Sequence, residues 1–247
     1  MSRLLVEMEG LWKSFNGEPA VRGLNLRVWE GAIHGLLGLN GAGKTTTIKC
    51  IVGLLRPDRG RIFVAGEPVL DGSSYKDVLG YLPENPSLPE YLTAGEFLVF
   101  NARLKGLKHG EVERRVSEAS ELLGLGRYLD RLIYGLSKGV RQRLAFAAAI
   151  VNTPKILVLD EPFNGLDPEA QSVAKFLMRE TAKMGGAVLV STHLLDSVER
   201  ICDSATIIHA GRELAAGTLE ELKSLAGLSS SASLEETFLQ IVSRQKS

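Results

Sequence analysis

The stretch Gly38-Leu39-Asn40-Gly41-Ala42-Gly43-Lys44-Thr45 constrains this chain more than any other, because it spells G-x-x-x-x-G-K-[ST]. The apolar run Ile33 to Leu37 before it reads as a buried strand, and Thr46 to Leu55 after it reads as a helix that ends before Pro57. In a strand, glycine-rich loop and helix, the loop's backbone N–H groups can close around phosphate oxygens at the positive end of the helix. Lys44 is then a point charge for the β and γ phosphates of a nucleoside triphosphate, and the Thr45 hydroxyl is a ligand for Mg²⁺. Gly38, Asn40, Gly41, Ala42, Gly43 and Thr46 complete the expected contact set.

A second carboxylate-bearing turn fits that site. Ile156 to Leu159 is a wholly apolar strand, and Asp160 closes it, so its carboxylate emerges at the strand's carboxyl end, the usual mouth of an open α/β sheet. Mg²⁺ is expected there. Glu161 follows on the other side of the strand direction, where a carboxylate can accept a proton from an attacking water.

The remaining chain alternates short elements. Leu4 to Met8, Leu24 to Val28, Arg61 to Ala65 and Leu79 to Leu82 read as strands, and the prolines at 83, 86 and 89 impose a loop. From Thr93, which forms a capping box with Glu96, to residue 153 the pattern is helical, with Val112, Val116, Ala119, Leu122 and Leu123 on one face. Strands resume at Ile156, Ala187 to Ser191 and Ala205 to His209, with Asp167-Pro168 opening a helix between the first two. Thr218 with Glu221 and Ser233 with Glu236 are two more capping boxes, and Ser229 to Ser231 read as a hinge before the last helix. Cys50, on the phosphate-loop helix, and Cys202, on a short helix, read as small buried hydrophobes, and His34, His109 and His209 show no metal-ligand spacing.

Composition excludes several function classes. With 29 Lys and Arg against 29 Asp and Glu, no global positive field exists to hold nucleic acid, so none is expected as a partner. The longest uninterrupted apolar run, Leu144 to Val151, is eight residues, against the roughly 18 to 20 needed to span a bilayer. Two cysteines without a CxxC motif fit a reducing cytoplasm.

Four further segments complete a recognisable order. They are Leu136-Ser137-Lys138-Gly139-Val140, Gly165-Leu166-Asp167-Pro168, Ser191-Thr192-His193, and Phe15 at 23 residues before Gly38. Together with the phosphate loop and Asp160-Glu161 they resemble the nucleotide-binding subunit of ABC transporters over nearly the whole chain. The resemblance implies that Ser137 and the Gly139 backbone contact the γ-phosphate of ATP bound on an opposite subunit. It also places Asp167 in the D-loop, makes His193 the residue that contacts the γ-phosphate and positions water, and makes Phe15 the adenine-stacking aromatic. Trp12 competes for that last role, and core packing is the alternative for Phe15. The family's common signature has Gly where Lys138 stands and Gln where Val140 stands. Glu84 occupies the position of a family glutamine that reaches the metal. Leu82-Pro83-Glu84, the Leu-Ser-Lys-Gly signature and the tail Ser233 to Phe238 are similar to the ABC-2 type exporter branch.

The resulting expectation is an α/β fold: a P-loop NTPase core with a mixed sheet, an amino-terminal antiparallel β portion and an inserted helical subdomain. One ABC-type ATPase domain would fill residues 1–247, with its core at 1–92 and 154–228, the helical subdomain at 93–153 and a carboxyl-terminal helix at 229–247. Such a chain would bind ATP and Mg²⁺, pair with a second ATPase subunit, and work from the cytoplasmic face of the membrane on a separate integral membrane permease. The rival is a soluble ABC-type ATPase acting on a cofactor-assembly scaffold or on ribosome or nucleic acid. Only 92 residues separate Lys44 from Leu136, too few for the long coiled coil of the family's DNA-repair members.

Overall fold

The computed structural model describes residues 3–70 and 74–244; the last three residues of the expected 229–247 helix lie outside them. The chain opens with β1 (Leu4–Phe15) and β2 (Glu18–Trp29), paired antiparallel. Asn16 and Gly17 join them with φ of +49° and +85°, and positive φ at both central residues is the hairpin turn whose twist matches the strands. Both strands run further than the alternation predicts, because the pairing register shifts between Met8 and Leu11 and the pattern changes phase there. With β4 (Arg59–Val64) and β5 (Glu67–Pro68), they form a four-stranded sheet in the order β2-β1-β4-β5.

The second sheet carries the site. It contains β3 (Ile33–Leu37), β6 (Leu79–Leu82), β7 (Ile156–Asp160), β8 (Ala187–Thr192), β9 (Ser204–His209) and β10 (Arg212–Thr218), in the order β10-β9-β3-β8-β7-β6. All neighbours are parallel except β10, which pairs antiparallel with β9. Every residue of β3, β7 and β8 is buried, which is why these strands are dominated by apolar residues on both faces rather than alternating.

Successive residues of those strands feed two cores. Leu36, Ile156, Val158 and Leu189 face the antiparallel sheet, where Leu5, Met8, Leu24 and Val64 meet them and α1 (Lys44–Ile51) is enclosed through Ile48, Cys50 and Ile51. Leu37, Leu157, Leu159 and Val190 face the helices α2 (Ala94–Leu104), α3 (His109–Leu122), α4 (Lys138–Ile150) and α5 (Pro168–Lys183). Burying one such aliphatic side chain contributes about 1.5–3 kcal/mol, so both faces of the sheet are anchored. The chain continues through α6 (Leu195–Glu199), α7 (Leu219–Ala226) and α8 (Leu234–Ser243).

Three local expectations change. α1 starts at Lys44 and stops at Ile51, because Gly53 takes φ +76° and ends the helical geometry before Leu55. Leu122 is 44% exposed whereas Val112, Val116, Ala119 and Leu123 are buried, so the apolar face of α3 continues through Leu123. Cys202 lies in the turn after α6, buried as expected but not helical. The capping boxes at Thr93, Thr218 and Ser233 all form, each with its side chain accepting the third helical amide and the glutamate reaching back.

Candidate active site

The adjacent strands β3, β8 and β7 end together, with Leu37 opposite Thr192 and Asp160 opposite Ser191. Sheet register alone therefore gathers the phosphate loop, Ser191-Thr192-His193 and Asp160-Glu161 at one edge. The loop after β3 turns tightly, with Ala42 N–H donating to Leu39 O at 3.1 Å. Two of its glycines admit no side chain. A Cβ on Gly38 would stand 2.6 Å from the Ile208 carbonyl oxygen, and one on Gly43, at φ +105°, would stand 2.7 Å from that of Ala20. Asn40 and Gly41 are exposed at the loop's tip, Ala42 is buried, and Thr45 and Thr46 are half-buried on the first turn of α1. The open tip and the bare backbone suit a polyphosphate approaching the amides.

Lys44 is 6% exposed and lies inside this loop. Its ammonium donates to the carbonyls of Gly38 at 2.8 Å and Leu39 at 3.4 Å, and sits 3.3 Å from Glu161 Oε1. A buried ammonium needs such partners. Glu161 is equally engaged: Oε1 lies 2.9 Å from His193 Nδ1, while Oε2 accepts from Thr192 Oγ1 at 3.0 Å and the His193 amide at 3.4 Å. Plain strand alternation would send Glu161 to the face opposite Asp160, but Glu161 has φ +49°. That left-handed backbone, unfavourable for a residue with a Cβ, turns its carboxylate back toward Lys44.

Asp160 is fully buried. Its Oδ1 accepts from Ser191 Oγ at 2.5 Å, while Oδ2 has no hydrogen-bond partner among the described residues. Burial raises this carboxyl above the ordinary range and the neighbouring Glu161 charge adds to the effect, against the Ser191 and Thr45 hydroxyls and the Lys44 charge. An orphaned buried carboxylate oxygen beside Thr45 is the donor set a hard divalent cation takes, so the residues fit Mg²⁺.

The other expected residues stand around this centre. Phe15, last in β1, is 45% exposed, so core packing does not explain it; the Lys13 ammonium lies 5.6 Å from its ring. Trp12 instead lies over Gly23, where a Cβ would meet its Nε1 at 3.2 Å. Ser137 caps α4, accepting from Val140 N–H at 3.4 Å, and is exposed. Gly139 packs so closely on the loop before α5 that a Cβ would meet Gly165 O at 3.1 Å, and the Lys138 stem crosses Gly165. Asp167 caps α5, accepting from Ala170 N–H at 2.8 Å. Among the described residues, no hydrogen bond joins the Ser137–Gly139 turn to the phosphate loop. Glu84 is half-buried and lines a cleft with Lys138, Arg141 and Gln142. Ser191 and Thr192, which hold Asp160 and Glu161, were not anticipated in that role; the signal was a polar pair ending an apolar strand.

The sequence profile of the ABC transporter family matches residues 21–164. This chain belongs to that family. The ABC chain is 40% identical over 219 residues to the uncharacterized ABC transporter ATP-binding protein YxlF of Bacillus subtilis, covering 89% of this chain and 72% of that one. It is also 40% identical over 223 residues to the daunorubicin/doxorubicin resistance ATP-binding protein DrrA of Streptomyces peucetius, covering 90% and 68%. A solved ATP-binding subunit of an ABC transporter superposes with a TM-score of 0.91 at 38% identity, covering 96% of this chain and 99% of that one. The expected P-loop core with its antiparallel amino-terminal sheet is thus the family's fold, and the chain is an ATP-binding and ATP-hydrolysing subunit of an ABC transporter.

Proposed function

We propose that two copies of this ATPase domain, or this one and a homologous subunit, close around ATP and so drive a separate membrane-spanning permease, in the direction of export. The observation that carries this reading is the split between two sets of residues. Lys44, Glu161, His193 and Asp160 form one connected centre, while Ser137 and Gly139 present a capped, exposed helix start with no bond to it. A helix N-terminus with no acidic residue in its first turn suits an anion, here the γ-phosphate held by the other subunit. Among the described residues no helix is long and apolar enough to cross a membrane, which supports a separate permease chain, with this subunit on its cytoplasmic face. The drug-resistance role in the name of the Streptomyces relative supports export.

Within the centre, Phe15 would stack on adenine, and the loop from Gly38 to Thr46 would bind the phosphates. Thr45 and Asp160 would hold Mg²⁺, which when bound neutralises phosphate charge and polarises the γ-phosphoryl group. Glu161 takes the proton from the attacking water, and His193, already 2.9 Å from that carboxylate, orients it. Asp167 holds the D-loop in place through its cap on α5. The division into a core at 1–92 and 154–228 with a helical subdomain at 93–153 follows the same reading, since β6 and β7 pair directly although α2, α3 and α4 separate them in sequence.

Substituting Ser137→Arg tests the shared site. It places bulk in the turn while leaving the phosphate loop intact, so ATP binding by the single chain should persist and ATP-dependent dimerisation should disappear in sedimentation velocity. Dimerisation at the wild-type ATP concentration would remove Ser137 from the interface.

Glu84 is the second test. In this chain Glu84 lines the Lys138 and Arg141 cleft; if dimer closure carries it to the γ-phosphate, its charge joins those of Asp160, Glu161 and triphosphate, which is tolerable beside a metal ion. Glu84 is therefore proposed as a further Mg²⁺ contact in the closed dimer. Glu84→Gln should raise the Mg²⁺ concentration for half-maximal hydrolysis several-fold, about 1 kcal/mol of lost charge-assisted interaction. An unmoved titration would assign Glu84 to the Lys138 and Arg141 cleft alone.

A further inference from the structure

One buried polar group near the centre has no role in the reading above. Tyr81 lies on β6 opposite Val158 of β7, and side chains alternate along a strand, so Tyr81 shares a face with Val158 and with Asp160 two residues further on. The Tyr81 ring packs against the core that encloses α1. Its hydroxyl is buried and has no hydrogen-bond partner among the described residues; neither does Asp160 Oδ2. Burial pushes the phenol up to about 12, and the Asp160 charge adds to the shift, so at neutral pH Tyr81 keeps its proton and is a donor. A donor lacking an acceptor thus lies on the same face of the sheet, one strand over, as an acceptor lacking a donor. No direct bond joins them, and a buried polar group left without a partner is destabilising. A bridging water satisfies both at once, as buried waters between polar groups commonly do.

Building on the assignment of Asp160 to the metal side of the ATP site, we propose that Tyr81 is a positioning residue. Its hydroxyl and Asp160 Oδ2 hold one water between them, and this water orients the Asp160 carboxylate toward the divalent cation. Ser191 fixes the other oxygen, so the carboxylate is held from both ends.

The test uses the full chain with a non-hydrolysable ATP analogue and Mn²⁺, whose binding is read by electron paramagnetic resonance. Tyr81→Phe keeps the ring and removes only the hydroxyl. It should weaken Mn²⁺ binding about tenfold, the usual scale for losing an outer-shell partner. Affinity for the analogue in EDTA should stay unchanged, because Lys44 and the loop amides are untouched. Unchanged Mn²⁺ affinity in Tyr81→Phe, with Asp160→Asn still weakening it, would overturn the Tyr81 role alone. Unchanged affinity in both variants would overturn the Asp160 assignment on which it rests. A fall in melting temperature with no change in Mn²⁺ binding would make the hydroxyl merely structural and also overturn the proposal.

Discussion

Replacing Lys44 by alanine should abolish useful ATP binding while leaving the fold intact. The Lys44 ammonium donates to two loop carbonyls and pairs with Glu161, all within a site where it is 6% exposed. A triphosphate entering the loop takes over this cation. Hydrogen bonds to charged groups contribute about 1.5–3 kcal/mol each, so losing two of them corresponds to roughly a 100-fold or greater loss of affinity. Equilibrium binding of a fluorescent ATP analogue measures it, with circular dichroism confirming the fold. The same substitution leaves Glu161 buried with only Thr192 and His193 as partners, so some loss of melting temperature is expected as well. MgATP affinity within twofold of the unsubstituted chain would remove Lys44 from the phosphate site.

The second large effect belongs to Glu161→Gln. The amide keeps the side chain's length and can still accept from Thr192 and the His193 amide, but it cannot take up a proton at neutral pH. Turnover should fall by about 10²–10⁴, the usual contribution of a general base, with ATP affinity retained. Because the glutamine no longer offsets the Lys44 charge, affinity for ATP should if anything rise. A turnover number near that of the unsubstituted chain would assign the proton transfer elsewhere.

Features decided by local chemistry were legible in the amino-acid sequence. The phosphate loop depends on where glycines stand, and the structure shows why at Gly38 and Gly43, where neighbouring carbonyl oxygens leave no space for a Cβ. Capping boxes need only four residues, and those at Thr93, Thr218 and Ser233 formed as read. The apolar character of β3, β7 and β8 marked them as buried strands because both faces of their sheet are covered. Of the amino-terminal hairpin, only Leu4 to Met8 and Leu24 to Val28 read as strands, because the register shift near Gly10 changes the phase of the alternation.

What escaped the sequence depends on long-range register. Nothing local to Ser191 says that it will meet Asp160, which is 31 residues away along the chain; only the pairing of β7 with β8 brings them together. Likewise only the pairing of β6 with β7 puts Tyr81 on the same face of the sheet as Asp160. The backward turn of Glu161 is a backbone conformation that its residue type disfavours, so no propensity argument points to it. Exposure removed core packing as an account of Phe15, since its position at the end of a strand fits a core residue as well as a surface one.

The central claim is that ATP is held between two of these subunits and hydrolysed with Glu161 as base. Light scattering on the Glu161→Gln chain, alone and with MgATP, tests it most directly, because blocked hydrolysis traps the closed state. The 26.8 kDa monomer is expected without nucleotide and a particle of twice that mass with MgATP, reverting when Ser137→Arg is added. A Glu161→Gln chain that binds MgATP and still scatters as a monomer would contradict it.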